Sequence, residues 1–127
     1  PERMHASLSR LATLPGETRV CCAHEYTQDN LRFAWSLEPE NDALAARIRR
    51  TWELRSSGAS SVPSTLAEER ATNPFLRTNS VALRERLGRL MPDVALAQPS
   101  DVFAATRALK DSKAYLSSAM NDFPVAL

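Results

Sequence analysis

Residues 18–39 decide how this chain is read. Thr18-Arg19-Val20-Cys21-Cys22-Ala23 is a short run of β-compatible residues ending at His24, and Glu25-Tyr26-Thr27-Gln28-Asp29-Asn30 then opens a helical pattern that closes at Pro39. A run without polar alternation predicts a strand buried on both faces, or one lying beside a sheet. Beyond it, Leu31, Ala34, Trp35 and Leu37 share one helical face, and Pro39 stops the pattern. Only this segment reads convincingly as a strand. Its expected partners lie in a longer fold or in another chain, with none in this one.

Working outward, the stretch before it is helical. Met4, Leu8, Leu11 and Leu14 recur at three- and four-residue spacing from Glu2 onward, and Pro15-Gly16 ends the pattern. Downstream, Asn41 reads as the N-cap of a helix whose stripe is Leu44, Ile48, Trp52 and Arg55, ending near Gly58. Ala59 to Asn73 reads as loop with a single turn at Ser64 to Glu69, where Ser and Thr precede acidic residues as in a cap. Pro74-Phe75-Leu76 reads as an anchored turn, and Val81, Leu83, Leu87 and Leu90 as a helix stopped before Pro92. Ser100 or Asp101 caps a last helix through Val102, Phe103, Thr106, Leu109 and Lys110, running toward Leu116. The fold class expected is therefore mainly α, about four to five helices with one or two strands. Leu44, Ile48, Trp52, Leu83, Leu87 and Phe103 are expected to share one core.

Composition narrows the functional classes. The chain has 127 residues, 43% of them hydrophobic and 24% charged, which suits one ordinary core and argues against disorder. Sixteen basic against fifteen acidic residues leave a net charge of +1. That balance, with no basic stripe interleaved with aromatics, points away from nucleic acid and from a membrane surface. No apolar run exceeds four residues, so neither a membrane span nor a secretory h-region is expected. Cys21 and Cys22 are neighbours, poorly placed for a disulfide, and are expected as buried thiols of a cytoplasmic protein. Arginine outnumbers lysine fourteen to two, but the arginines are scattered among acids. Three glycines cannot build a glycine-rich phosphate loop.

The chemistry on offer is sparse. His24 stands at a strand end, where ligands gather at the mouth of a sheet. On the residues alone it reads either as a hydrogen-bonded structural histidine or as a ligand. His5 is expected to be solvated. Two histidines this far apart have no zinc-ligand spacing, and no serine sits in a Gly-x-Ser-x-Gly elbow. Glu25 and Asp29 flank His24 at offsets common on surfaces. Arg107 and Lys110, three apart, share a helical face and could clamp an anion, or form a solvated face with Asp111 as counter-charge.

Three motifs carry a resemblance. His24-Glu25-Tyr26-Thr27 with Asn30-Leu31-Arg32-Phe33-Ala34 and Glu38-Pro39 is the first. Val62-Pro63-Ser64-Thr65-Leu66-Ala67-Glu68-Glu69, running into Thr72-Asn73-Pro74-Phe75-Leu76-Arg77, is the second, and Arg107-x-x-Lys110-Asp111 the third. In order and spacing they resemble the hydroxyacylglutathione hydrolases, the glyoxalase II enzymes, over nearly the whole chain. The resemblance implies the C-terminal part of an α/β metallo-β-lactamase αββα fold, followed by that family's helical domain. It also implies hydrolysis of S-D-lactoylglutathione to D-lactate and glutathione at a pair of divalent metal ions, zinc with iron or manganese also possible. His24 matches the last metal-binding histidine, Tyr26 a tyrosine contacting glutathione, and Arg107 with Lys110 the basic pair that binds glutathione carboxylate. Ala23 stands where the family has glycine.

The family's Thr-His-x-His-x-Asp-His motif and its other metal ligands have no counterpart in this sequence. One histidine cannot hold a zinc site needing three or four protein ligands. The expectation is thus residues 1–24 as the end of the catalytic domain and 25–127 as the helical substrate-binding domain. The chain's partners would be a glutathione thioester and the N-terminal half of that catalytic domain, with no turnover by this chain alone. The alternative is a non-catalytic helical module that binds a glutathione-like anion or a partner chain.

Overall fold

The computed structural model describes residues 1–117 and 120–127. The chain is mainly α-helical, as its periodicity predicts. Helix α1 (Glu2–Leu11) leads through strand β1 (Arg19–Val20) into α2 (Thr27–Leu37) and α3 (Asp42–Ser56). Strand β2 (Ser64–Thr65) runs directly into α4 (Leu66–Thr72), and a 3-10 turn at Pro74–Leu76 precedes α5 (Val81–Leu90). Helix α6 (Pro99–Ser112) and a 3-10 turn at Ala114–Leu116 follow. Among the described residues, no helix is long and apolar enough to cross a membrane.

Local chemistry sets these boundaries. Asn41 Oδ1 accepts from Leu44 N at 3.1 Å, as its N-cap reading predicts, and Ser80 Oγ accepts from Leu83 N at 3.2 Å. Thr65 Oγ1 accepts from Glu68 N at 3.3 Å, so the expected turn in 64–69 continues into a helix of two turns rather than a loop. The last helix starts earlier than Ser100. Pro99 takes its first position, and Asp101 Oδ2 accepts from the Gln98 backbone N–H at 2.9 Å, so Gln98 occupies the cap and Asp101 reaches back to it. Gly58 after α3 and Lys113 after α6 both take the left-handed conformation, φ 78° and 57°. Lys113 is where α6 ends, short of Leu116.

The core is two clusters rather than one. Helix α2 is buried almost all round. Leu31, Ala34 and Trp35 pack with Leu44, Ala45, Ile48 and Phe123, against which Trp52 lies half-buried. Phe33 and Leu37, on the other side, pack with Leu83, Leu87, Val102, Ala105 and Tyr115. Phe103 is buried as expected, its ring 5.3 Å from Phe75. The split follows from α2 passing between α3 on one side and α5 and α6 on the other, with Met120 packed against both clusters.

The strand has a partner within the chain, contrary to expectation. Arg19 pairs with Thr65 and Val20 with Ser64 in an antiparallel ladder. Leu66 N donates to Thr18 O at 2.8 Å and Ala67 N to Gly16 O at 2.9 Å, extending the contact into α4. Two polar residues have no apolar period, so β2 was invisible to pattern reading. The ladder stops at Val20, which leaves Cys21 and Cys22 exposed rather than buried. Gly16 sits so close to α4 that a Cβ there would lie 3.1 Å from Arg70 Nη2 and 3.2 Å from Ala67 Cβ. Arg70 Nη1 donates to Ala12 O at 2.8 Å, tying α4 to the C-terminal end of α1. His5 is half-buried, not solvated, with Nε2 3.1 Å from Thr78 Oγ1 and its ring 5.6 Å from Phe103. Met4, Leu11 and Leu14 are exposed.

One buried polar knot joins α3 to α4. Glu69 accepts from Arg47 Nη2 at 2.6 Å, Ser64 Oγ at 2.6 Å and Asn73 Nδ2 at 2.9 Å, while Arg47 Nη1 donates to Thr72 Oγ1 at 2.7 Å. Burial alone would raise the Glu69 carboxyl, but these hydrogen bonds, Arg47 foremost, hold it below the usual carboxylate range. Glu69→Ala leaves the buried Arg47 short of its main partner and should cost about 3 kcal/mol in urea unfolding. Arg50→Ala, removing the exposed partner of Glu68, should cost less than about 1 kcal/mol. In the apolar core, Ile48→Ala should cost about 2–5 kcal/mol. Val81→Ala, at a site 70% exposed, should lie within about 0.5 kcal/mol of the parent.

Candidate functional site

The segment between β1 and α2 is held by Glu25. Its carboxylate accepts from Ser61 N and Ser60 Oγ, both at 2.9 Å, and from Ser61 Oγ, with Arg55 Nη1 at 4.0 Å. Hydrogen bonding by the Ser61 hydroxyl, against a smaller opposing effect of burial, lowers this carboxyl to about 2 from an ordinary 4.5. Glu25 therefore anchors its own backbone to the loop after α3, and its neighbours project from that anchor. The His24 ring is exposed and stacks on the Tyr26 ring with centroids 5.0 Å apart and planes 12° from parallel. Tyr26 is 63% exposed.

A cleft of about 240 Å³ opens beside this segment. His24, Thr27 and Asn30 line it from the start of α2, Asn73 and Phe75 from the 3-10 turn, and Arg107 and Lys110 from α6. Three of the four residues singled out in the sequence thus share one cleft, and Tyr26 adjoins it through its stack on His24. Cys22 lines it too.

The two cations from α6 differ in setting, and Arg47 of the Glu69 knot lines the cleft as a third. Arg107 is exposed and pairs with Asp111 one turn on, Nη2 to Oδ1 at 2.7 Å and Nε to Oδ2 at 3.0 Å. Lys110 is half-buried. Its Nζ donates to Asp29 Oδ2 at 2.6 Å and to Tyr115 Oη at 2.8 Å, and it lies 5.3 Å from the Phe33 ring centroid and 4.6 Å from that of Tyr115. The Tyr115 hydroxyl donates to Asp29 at 3.0 Å, closing the triangle. Burial pushes the Asp29 carboxyl up, but hydrogen bonds from Lys110 and Tyr115 outweigh it and leave the group below its ordinary value. The solvated-face reading holds for Arg107 and fails for Lys110. Tyr115 was missed in the sequence, and Asp29 was read only as a flank of His24. They lie 86 residues apart, so no spacing rule could join them.

A metal ion fits poorly within this chain. Among the described residues, no three His, Cys, Asp or Glu side chains converge. Cys22 is the one other soft ligand lining the cleft with His24.

Residues 25–113 match the family described as hydroxyacylglutathione hydrolase C-terminus. The chain belongs to that family. Curated relatives named hydroxyacylglutathione hydrolase agree over most of its length. The protein of Rhodobacter capsulatus is 56% identical over 111 residues, 87% of this chain and 42% of the relative. That of Gloeobacter violaceus is 53% identical over 109 residues, covering 86% and 40%, and that of Halorhodospira halophila 52% over 110 residues, covering 87% and 43%. The chain therefore spans less than half the length of these relatives. The hydroxyacylglutathione hydrolase C-terminal match includes the Glu25 anchor, Asp29, Arg107 and Lys110, while His24 and Cys22 of the cleft lining lie just before it.

The Glu25 anchor has a pH signature. Because its folded value lies below its unfolded one, the stabilisation is complete above about pH 4.5 and disappears as pH falls toward 2. Melting temperature measured from pH 7 to pH 2.5 should fall less steeply for Glu25→Gln than for the parent chain. Parallel curves would remove Glu25 as the anchor.

Proposed function

We propose that this chain is the C-terminal portion of a cytoplasmic hydroxyacylglutathione hydrolase that cleaves S-D-lactoylglutathione to D-lactate and glutathione. On this reading residues 1–24 close a metallo-β-lactamase αββα catalytic domain, and 25–127 form the helical substrate-binding domain. The observation that carries it is the meeting of His24 with Arg107 and Lys110 around one cleft, two elements 83 residues apart in sequence that only the fold brings together.

The chemistry suits a glutathione thioester. A tripeptide carrying free carboxylates needs fixed cations, and Arg107 offers a planar fork of donors while Lys110 offers a compact charge. Tyr26, flat against His24 and exposed, presents an aromatic face and a hydroxyl to the peptide part of such a ligand. His24 is proposed as one ligand of a pair of divalent ions, zinc, iron or manganese, whose other ligands come from outside this chain. Bound there, the ions would supply an activated water. The residues of this chain do not make up that site by themselves, so it should not turn over substrate alone, and no hydrolytic step is assigned to it.

A second reading has one observation in its favour: Arg107 and Lys110 line the cleft while, among the described residues, no three His, Cys, Asp or Glu side chains converge. It makes the chain a helical module that binds glutathione-like anions or a partner chain without catalysis.

Two measurements separate these. Titration of the chain with glutathione, followed by calorimetry, should give saturable binding that Arg107→Ala weakens about tenfold, the size of a charge-assisted hydrogen bond lost. Unchanged affinity in that variant removes the clamp. Joining the chain to the N-terminal portion of the Rhodobacter capsulatus relative should yield S-D-lactoylglutathione hydrolysis, and His24→Ala in that protein should abolish it. Full activity in the variant would exclude His24 as a ligand, and an inactive but folded fusion favours the module.

A further inference from the structure

Arg47 also lines the cleft, held in the Glu69 knot, and the two cations that α6 brings to it each hold a carboxylate as well, but on unequal terms. The Arg107–Asp111 pair is local, one turn apart on α6, with side chains 58% and 56% exposed. The Lys110 side chain is 17% exposed, and its partners come from elsewhere: Asp29 on α2 and Tyr115 in the 3-10 turn after α6. Asp29 receives both the ammonium and the tyrosine hydroxyl, and the ammonium also lies over two aromatic rings.

We propose that Asp29 and Tyr115 are positioning residues that pin Lys110 as a fixed cation of the cleft, while Arg107 is the mobile one and leaves Asp111 for an incoming carboxylate. This rests on the reading of the cleft as a glutathione site. An ammonium has three donors. Among the described residues two are engaged, by Asp29 and Tyr115, which leaves the third for a ligand without breaking either bond. Moving Lys110 would instead take the ammonium from two rings and two oxygen partners at once, one of them on the buried Tyr115. The Asp29 side chain is itself 47% exposed, so the pin resists exchange mainly from the lysine side. Arg107 has no such tie. Its exposed pair with Asp111 is of the kind that contributes little, and its fork can turn toward a ligand at small cost. The cleft then combines one donor set in place beforehand with one that closes on arrival.

Two substitutions that remove the same charge should act in opposite directions. With reduced glutathione as the probe and the full 127-residue chain, Asp111→Asn should tighten binding about twofold by freeing Arg107. Asp29→Asn should weaken it about tenfold, because Lys110 loses the charge-assisted bond that orients it. Tyr115→Phe should weaken it by less, and Asp29→Glu should recover part of the loss. A general charge effect would move both Asn variants the same way, so tightening or no change in Asp29→Asn overturns the proposal.

Amine acetylation read by mass spectrometry separates the pin from the site reading. Lys110 and Lys113 are the only lysines, and Lys113 is exposed, an internal reference three residues away. Lys110 should react about tenfold more slowly than Lys113 in the parent chain and lose that protection in Asp29→Asn, as one charge-assisted hydrogen bond implies. If glutathione fails to bind the parent while Lys110 is protected, the glutathione reading falls, and exchange at Arg107 with it, but the pin stands. If Lys110 reacts as fast as Lys113, the pin is wrong whatever glutathione does.

Discussion

The Glu69 carboxylate is the point on which the rest of this structure hangs. It receives Arg47 from α3, Ser64 from β2 and Asn73 from the approach to the 3-10 turn, so one buried acid sets the positions of three segments. A buried carboxylate is tolerated only when its acceptor sites are filled, and here the filling groups come from different elements. With α4 fixed against α3 in this way, β2 is presented to β1, and the Arg19–Val20 ladder has a surface to form on. The position of the whole segment from β1 to His24 therefore depends on an ion pair that lines the same cleft as Cys22 and His24.

Glu25 repeats the device at smaller scale. Its carboxylate is satisfied by two consecutive serines, Ser60 and Ser61, on the loop that leads into β2. The segment is thus tied to one stretch of chain on both sides of His24, through the Val20–Ser64 pairing before it and the Glu25 contact after it. A short irregular connection becomes a defined platform for His24 and Tyr26, without any helix or long strand of its own. Helix α2 begins directly after it, and because α2 is buried on opposite sides, by α3 and by α5 with α6, its first turn is carried to the cleft where α6 arrives.

Electrostatics in the cleft follows the same economy. Neither of the cations from α6 is left bare: each has an acid of its own, one local and one distant, as Arg47 has in Glu69. The difference in burial between the two pairs matters more than their shared formal charge. An exposed i,i+4 pair is readily exchanged, whereas a half-buried lysine with two oxygen partners and two rings around it keeps its place.

Reading the residues in order was enough to find most helices, because their apolar stripes and caps are local. Asn41 caps α3, and the Leu83 and Leu87 spacing buries both side chains. Motif spacing also marked His24, Tyr26, Arg107 and Lys110 as candidates, and the fold brings His24, Arg107 and Lys110 to one cleft. Order along the chain failed for β2 and α4, where a two-residue polar strand and a seven-residue helix are too short to show a period, and it failed for Cys21, Cys22 and His5, whose burial depends on what stops beside them. The Asp29–Lys110–Tyr115 triangle and the Glu69 knot lay further out of reach. Each joins groups that sequence holds apart and only packing brings within 3 Å of one another. The sequence by itself determined the helical class and which side chains carry charge. Tertiary structure alone decided which of those charges are pinned and which are free to exchange, because that depends on burial and on partners from distant elements.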